Sequence, residues 1–351
     1  MKVADLFSGV GGMSQGFFMA GFEIELAIEF DKEIAFSFQK NHPNTDVYSN
    51  DIRNLDFSEI HRTHPTIDVV VGGPPCQGFS QKGKRLSLND PRNFLFKQFV
   101  CFVEEFTPKY FVLENVPNII TTENGYFKDE IISSFNLLGY HVCCGILNAV
   151  DFGVPQDRRR AVFIGQRGTL EVTLPKPNGK HNTVKDAIFD LPYILSGEGE
   201  SPCNYDKLPT TSLQKNLRGK SRLIYNHIAT KHSATALRRM SMVPIGEGGK
   251  VLPEEERTKS IYSGTYCRLL ENEVASTITT RFDTPSSGRF THPLLNRCLT
   301  TREAARLQTF PDSFIFYGSK TSQMKQVGNA VPPYLAYAIA EVIKKNENQK
   351  L

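Results

Sequence analysis

Over its first 165 residues the chain alternates short β-branched, apolar runs with amphipathic stretches, and this alternation is what most narrows the folds open to it. Residues 3–7, 23–29, 67–71, 110–114, 141–148 and 160–165 read as strands, while 13–20, 31–40, 94–106 and 126–138 carry helical spacing. Helix-length connections return the chain to start each strand in the same direction, so the pattern predicts a doubly wound, mostly parallel α/β sheet. Ligands of such sheets gather beyond the carboxyl ends of the strands. After about residue 168 the alternation stops, and Pro, Gly, Ser, Thr and Arg dominate to about residue 300. This stretch predicts a smaller, irregular, mostly β domain inserted into the first. Order resumes at 301–307, and a helix at 334–344 is expected to pack back on the sheet domain. The expected division is therefore 1–175, an insertion at 176–300, and a return at 301–351.

Composition removes several classes of function. Hydrophobic residues make up 40% of the 351, enough for a sizeable core, and charged residues 22%, so the chain reads as folded rather than disordered. Its seven cysteines form no C-x-x-C pair and no His-rich cluster, which argues against a zinc site or a disulfide framework. No metal is expected. The start lacks a secretory pattern and no apolar run reaches membrane-spanning length, so a cytoplasmic setting without membrane attachment is expected. Net charge is +4, but residues 206–300 hold 15 Lys/Arg against 8 Asp/Glu, a balance of +7, leaving 26 against 29 elsewhere. That asymmetry points the middle of the chain towards a polyanion.

Four places carry chemistry. The run Gly72-Gly73-Pro74-Pro75-Cys76-Gln77-Gly78-Phe79-Ser80 follows a buried strand, and its prolines and glycines specify the turn that presents the thiol. Inert cysteines sit inside apolar patterns, as Cys101 does, whereas Cys76 does not. A glycine-rich turn, Phe7-Ser8-Gly9-Val10-Gly11-Gly12, lies between the first strand and first helix, where backbone can approach a ligand closely. Glu29 ends the second strand, a position from which a carboxylate can hold ribose hydroxyls, and Asp51-Ile52 follows the next short strand. These features suit a dinucleotide as well as S-adenosylmethionine. Glu114-Asn115-Val116 closes a strand that can neighbour the one feeding Cys76. Last, Gln156-Asp157-Arg158-Arg159-Arg160 precedes a strand whose alternation sends Arg158 and Arg160 to one side.

Gly-Gly-Pro-Pro-Cys-Gln, Glu-Asn-Val, Gln-x-Arg-x-Arg, Arg-Leu-Gln-Thr-Phe-Pro (306–311) and Gln-Val-Gly-Asn-Ala-Val-Pro-Pro (326–333) follow one another in this order. The chain thus resembles, over essentially its whole length, the cytosine-C5 DNA methyltransferases of bacterial or phage restriction-modification type. The resemblance implies a Rossmann-like methyltransferase sheet, S-adenosyl-L-methionine as cofactor and double-stranded DNA as partner. It makes Cys76 the nucleophile at C6 of a flipped cytosine, Glu114 the group at N3 and the exocyclic amine, and Arg160 that at O2, with Arg158 and Gln156 organising the site. Phe7, Gly9, Val10, Gly11 and Gly12 would flank the cofactor, Glu29 its ribose, and Asp51 with Ile52 its adenine. Pro75, Leu95 and Asn329 match further positions of that pocket. The segment from Gln77 through Ser80 to Arg92, with Lys82, Lys84 and Arg85, resembles a loop that closes over DNA. Residues 176–300 would be the target-recognition domain, where Thr277, Arg268, Arg281 and Arg289 are candidate DNA contacts, as is Gln156. A cognate restriction endonuclease and a monomeric enzyme are also implied.

Three competitors remain at this stage. Relatives that methylate transfer RNA share the chemistry but carry a Cys-Phe-Thr signature absent here. A nicotinamide-dependent oxidoreductase would use the same glycine turn and leave the Pro-Pro-Cys turn unexplained; a DNA-binding module without catalysis would leave Cys76, Glu114 and Arg160 without purpose.

Overall fold

A computed structural model of the chain describes residues 1–75, 94–168, 172–258 and 264–349. It divides into two compact units: 1–148, 159–177 and 333–351 form the first, and 149–158 with 178–332 the second.

The first unit is built on a seven-stranded sheet: β1 (Lys2–Leu6), β2 (Glu23–Ile28), β3 (Asp46–Tyr48), β4 (Val69–Gly72), β5 (Tyr110–Asn115), β6 (Tyr140–Asn148) and β7 (Arg159–Arg167). The order across the sheet is β3-β2-β1-β4-β5-β7-β6. All neighbours pair in parallel except around β7, which runs against both β5 and β6. The sheet is thus doubly wound and mostly parallel, as predicted. Strand β4 reads Val-Val-Val-Gly with every residue buried, as a central strand covered on both faces requires. The order reverses between β1 and β4, which places the crevice beyond their carboxyl ends, where the Gly9 turn and Pro74-Pro75 lie.

Helices α1 (Gly12–Met19), α2 (Lys32–Asn41), α3 (Phe57–Thr63), α4 (Phe94–Phe106), α5 (Asn118–Thr121) and α6 (Tyr126–Leu137) belong to this unit. Asp31 and Asp56 cap α2 and α3 by accepting the first backbone N–H groups. Phe96, Phe99, Phe102, Val103 and Phe106 recur at helical spacing on α4 and are buried in one aromatic core with Phe111, Phe135 and Tyr140. Phe111 and Phe135 stack at 3.8 Å. Gly165 on β7 makes room for this: a methyl group there would meet the Phe111 ring at 1.9 Å.

The last helix, Pro333–Asn348, packs on α1, and Gly16 permits the approach. A methyl on Gly16 would come within 2.4 Å of Ala336 Cβ and 2.5 Å of the Pro333 carbonyl oxygen. Lys344 closes the far end by donating to the Ala20 carbonyl at 2.7 Å.

The second unit corrects the expectation of a mostly β domain. Its described strands, β8 (Gly199–Glu200), β9 (Cys203–Asn204), β10 (Leu223–Ile224) and β11 (His227–Ile228), have two residues each. Helices α7 (Val184–Ile188), α8 (Ser212–Arg218), α9 (Ala234–Met242), α10 (Thr301–Leu307) and α11 (Lys320–Asn329) carry more of it. The unit also continues past residue 300, to Pro332, so α10 and α11 lie in it rather than with the sheet.

Buried arginines do there what ladders do in a sheet. The Arg302 guanidinium donates to the carbonyls of Tyr225, Pro311 and Phe314, Arg297 to those of Ile194 and Cys298, and Arg306 to that of Ala187. Backbone groups must be paired when buried, and five rigid donors per arginine can pair carbonyls that are not in register. The charges are paired as well. Arg297 grips Glu303 through two bonds of 2.8 and 2.7 Å, while Arg306 bonds Asp312 at 2.9 and 2.6 Å and also meets Asp190. All five side chains are essentially inaccessible.

Candidate active site

Five strand ends of the first unit bring the predicted residues to one edge of the sheet. Phe7 and Gly9 follow β1, Glu29 follows β2, Asp51 follows β3, Pro74-Pro75 follow β4, and Glu114 sits near the end of β5. Sequence alternation had placed them at such ends, and the parallel strand pairing puts those ends on the same side.

The glycine turn and Glu29 hold each other. Gly9 N–H donates to Glu29 Oε2 at 2.9 Å, and Asp31 N–H donates to Glu29 Oε1 at 2.8 Å. Burial pushes the Glu29 carboxyl up, against the pull of these backbone donors. Phe7, Gly9 and Gly11 have φ of 56°, 54° and 94°, which folds the chain back sharply before α1. A methyl on Gly9 would meet nothing within 4 Å, so that face of the turn is open. Val10 and Gly12 are buried behind it.

Under the turn, Asp5 is fully buried and accepts the Ser14 hydroxyl proton at 2.6 Å. Gly11 offers α1 no side-chain cap, so Asp5 stabilises the helix start from the neighbouring strand. Burial pushes this carboxyl up to about 7. The sequence reading missed its role, although an acid inside an apolar strand was the available signal.

Phe30 was also missed. It stands between the two anchored acids Glu29 and Asp31 and is 72% exposed, the kind of apolar surface that a planar ligand covers. Asp51 caps the short turn Ile52–Asn54 and is gripped by Arg53 Nε at 2.9 and 3.1 Å, which holds its carboxyl below the usual range. Ile52 is buried beneath it, and Leu95 packs half-buried against the main core.

At the next strand end, Arg160 Nε bonds Glu114 Oε1 at 2.7 Å, on adjacent antiparallel strands. Both side chains keep partial access to solvent, 15% and 13%. A methyl on Gly73 would lie 3.0 Å from Glu114 Oε2, so glycine there lets the carboxylate lie against the turn. Asn115 ties the same turn by donating to the Pro74 carbonyl at 3.0 Å. Exposed Pro75 is thereby held beside a carboxylate–guanidinium pair, one residue before Cys76. Cys76 itself lies outside the described residues, as do Gln77, Ser80, Lys82, Lys84, Arg85 and Arg92. Among the described residues no group of three or more His, Cys, Asp or Glu side chains could hold a metal ion.

Other expected site residues have different surroundings. Arg158, expected beside Arg160, is 2% exposed in the second unit, where it donates to the Ile278 and Gly328 carbonyls. Gln156 is buried with it. Arg268, expected to contact DNA, is also buried: its terminal nitrogens donate to the carbonyls of Met240, His292 and Leu295 and to the Asn296 side chain. It closes loops and is not presented to a groove. Thr277 donates its hydroxyl proton to the Asp157 carbonyl at 2.7 Å. Arg281 and Arg289 are exposed, and Asn329 is exposed at the end of α11.

Comparison with known proteins gives a consistent result. A family model described as C-5 cytosine-specific DNA methylase matches residues 1–345. The type II methyltransferase M.DdeI of Desulfomicrobium norvegicum is 39% identical over 371 residues, spanning 98% of this chain and 88% of that protein. M1.HphI of Haemophilus parahaemolyticus, also a type II methyltransferase, is 42% identical over 351 residues, spanning 98% and 87%. Among solved structures, one described as a DNA modification methyltransferase encoded within a prophage (E. coli) superposes with a TM-score of 0.82 at 30% identity, covering 99% of both chains.

Proposed function

Since the chain belongs to the C-5 cytosine-specific DNA methylase family and is a DNA cytosine-5 methyltransferase, we propose that it methylates one cytosine within a specific duplex sequence, using S-adenosyl-L-methionine and a Cys76 nucleophile. The observation that carries this reading is the Glu114–Arg160 pair, 2.7 Å apart and set against the Gly73-Pro74 turn that leads into Cys76. A cytosine ring edge offers a protonatable N3 and an amine beside a carbonyl O2. A carboxyl and a guanidinium side by side match these groups in order.

C6 of a stacked base is out of reach of a thiol, so the target nucleotide is first extruded from the helix. The Cys76 thiolate then forms a bond to C6, and the displaced ring electrons gather at C5. Glu114 shares a proton with N3 as this charge develops, and Arg160 stabilises O2. S-adenosyl-L-methionine, when bound, supplies a methyl group on positively charged sulfur. With the methyl group transferred to C5 and the demethylated donor released as a neutral thioether, the C5 proton would pass to solvent, and re-formation of the C5–C6 double bond would expel the Cys76 sulfur. The open face at Gly9, the half-buried Glu29 carboxylate and the exposed Phe30 ring suit the donor's ribose and adenine. Asp51, Ile52, Pro75, Leu95 and Asn329 complete the proposed cofactor contacts, and the basic segment 82–92 with Arg281 and Arg289 the DNA contacts.

The type II relatives support a protective role beside a cognate endonuclease. No described helix is long and apolar enough to cross a membrane; a monomer acting on DNA in the cytoplasm is part of the proposal. Duplex DNA carrying 5-fluorocytosine at the target tests the mechanism, because fluorine cannot leave C5 as a proton does and the covalent complex persists. Wild-type protein with donor is expected to form a complex stable to denaturant, and Cys76→Ala none. A stable complex in that variant would remove Cys76 from its role.

A further inference from the structure

Four separated motifs of the sequence meet in one buried polar junction of the second unit. Gln156 is 0% exposed; its amide nitrogen donates to the Leu307 carbonyl and to Gln308 Oε1, both at 3.2 Å, and its oxygen accepts Ile278 N–H at 3.0 Å. Gln308 in turn donates to the Val327 carbonyl at 2.8 Å. Arg158 spans the junction, with Nη1 on the Ile278 carbonyl at 3.0 Å and Nη2 on the Gly328 carbonyl at 2.9 Å. Gly328 lets the end of α11 lie directly on segment 277–281, since a methyl there would meet Thr279 C at 2.5 Å and Thr280 N at 2.6 Å. Asp157 holds the start of this stretch, its N–H donating to the Ala275 carbonyl and its carbonyl accepting from the Thr277 hydroxyl.

Both sides of Ile278 are therefore fixed by buried side chains, while Thr279 and Arg281 on either side of Thr280 remain exposed. An arginine whose terminal nitrogens are committed to two carbonyls in a buried junction is poorly placed to bind a base. We propose that Arg158, with Gln156, is a positioning residue that sets segment 277–281 as a rigid DNA-contacting edge, acting on DNA affinity and not on the reacting cytosine. This rests on the DNA-methylating reading above. Lysine in place of Arg158 keeps the charge but cannot bridge two carbonyls with a planar fork.

The full chain is assayed with donor and duplex DNA containing the site that bisulfite sequencing assigns to the wild type. Arg158→Lys is expected to weaken DNA binding about ten-fold or more, the scale of one lost buried donor. Its single-turnover methylation rate at saturating DNA is expected to stay within about three-fold, because no reacting group has moved. Hydrogen exchange at the amides of 275–281 is expected to speed up in the variant, which keeps the test informative if Arg158→Ala fails to fold. A drop in single-turnover rate with unchanged DNA affinity would place Arg158 at the base and overturn the inference. Unchanged affinity and exchange would overturn it too. A wild type that methylates no cytosine would instead sink the underlying reading.

Discussion

Glu114 and Phe30 show what a single side chain contributes at a strand end. Glu114→Gln keeps the shape but cannot shuttle the N3 proton, so methyl transfer is expected to slow by about 10²-fold or more while donor affinity is unchanged. Donor titration and single-turnover kinetics on one preparation separate the two. Phe30→Ala removes a largely exposed ring and is expected to weaken donor binding by roughly ten-fold, the worth of one stacking face, with little change in thermal stability. Isothermal titration and a melting curve check that pair of outcomes. The strand-end positions of Glu29, Asp51 and Glu114 were legible in the sequence because each closes or follows a short apolar run. Arg158 and Arg268 were not. The residue type tells that donors are present, and only the fold tells whether they meet a nucleic acid or a buried carbonyl.

Helix α10 is an element whose sequence conceals its setting. Thr-Arg-Glu-Ala-Ala-Arg-Leu reads as an exposed, charged helix, yet every residue in it is buried. Glu303→Gln would leave Arg297 with a neutral partner in a site closed to water, and is expected to cost about 3–5 kcal/mol of stability. Chemical denaturation measures it; a loss below 1 kcal/mol would mean the pair is dispensable. The packing of α1 on the last helix is equally sensitive. Gly16→Val pushes two methyl groups into Ala336 and the Pro333 carbonyl, and its melting temperature is expected to fall by several degrees. The strands of the first unit were legible because buried parallel strands are continuous β-branched runs. Helix α3, with seven residues, was too short to show a period, and β3, with three, was legible only as the short strand before Asp51. The second unit was misread as mostly β because the absence of helical periodicity was taken for strands, when the pairing there comes from side chains.

For the molecule as a whole, buried ionisable groups set opposing trends with pH. Burial holds His42 and His292 down to about 4, so both stay neutral in the folded chain where an unfolded chain would take up protons. Stability is therefore expected to fall as pH drops from about 6.5 towards 4. Asp5 works the other way: its folded carboxyl, pushed up to about 7, keeps its proton where an unfolded one loses it, so its contribution declines as pH rises from about 4 to 7. Asp5→Asn removes that second trend, and its melting temperature is expected to climb more steeply over this interval than the wild type's. Parallel slopes would show that Asp5 does not titrate there. The surplus of +7 over residues 206–300 predicts DNA affinity that falls steeply with salt, readable as a log–log slope.

The buried guanidinium groups of the second unit have a consequence for how such enzymes diversify. In a strand ladder a slip of one residue turns every side chain over, so insertions are punished along the whole length. A frame fastened at scattered points tolerates changes in the stretches strung between them. Exposed runs such as 244–247 can then be lengthened, shortened or exchanged while the fastenings stay put, and a chain that must acquire a new DNA target has somewhere to vary without first learning to fold again.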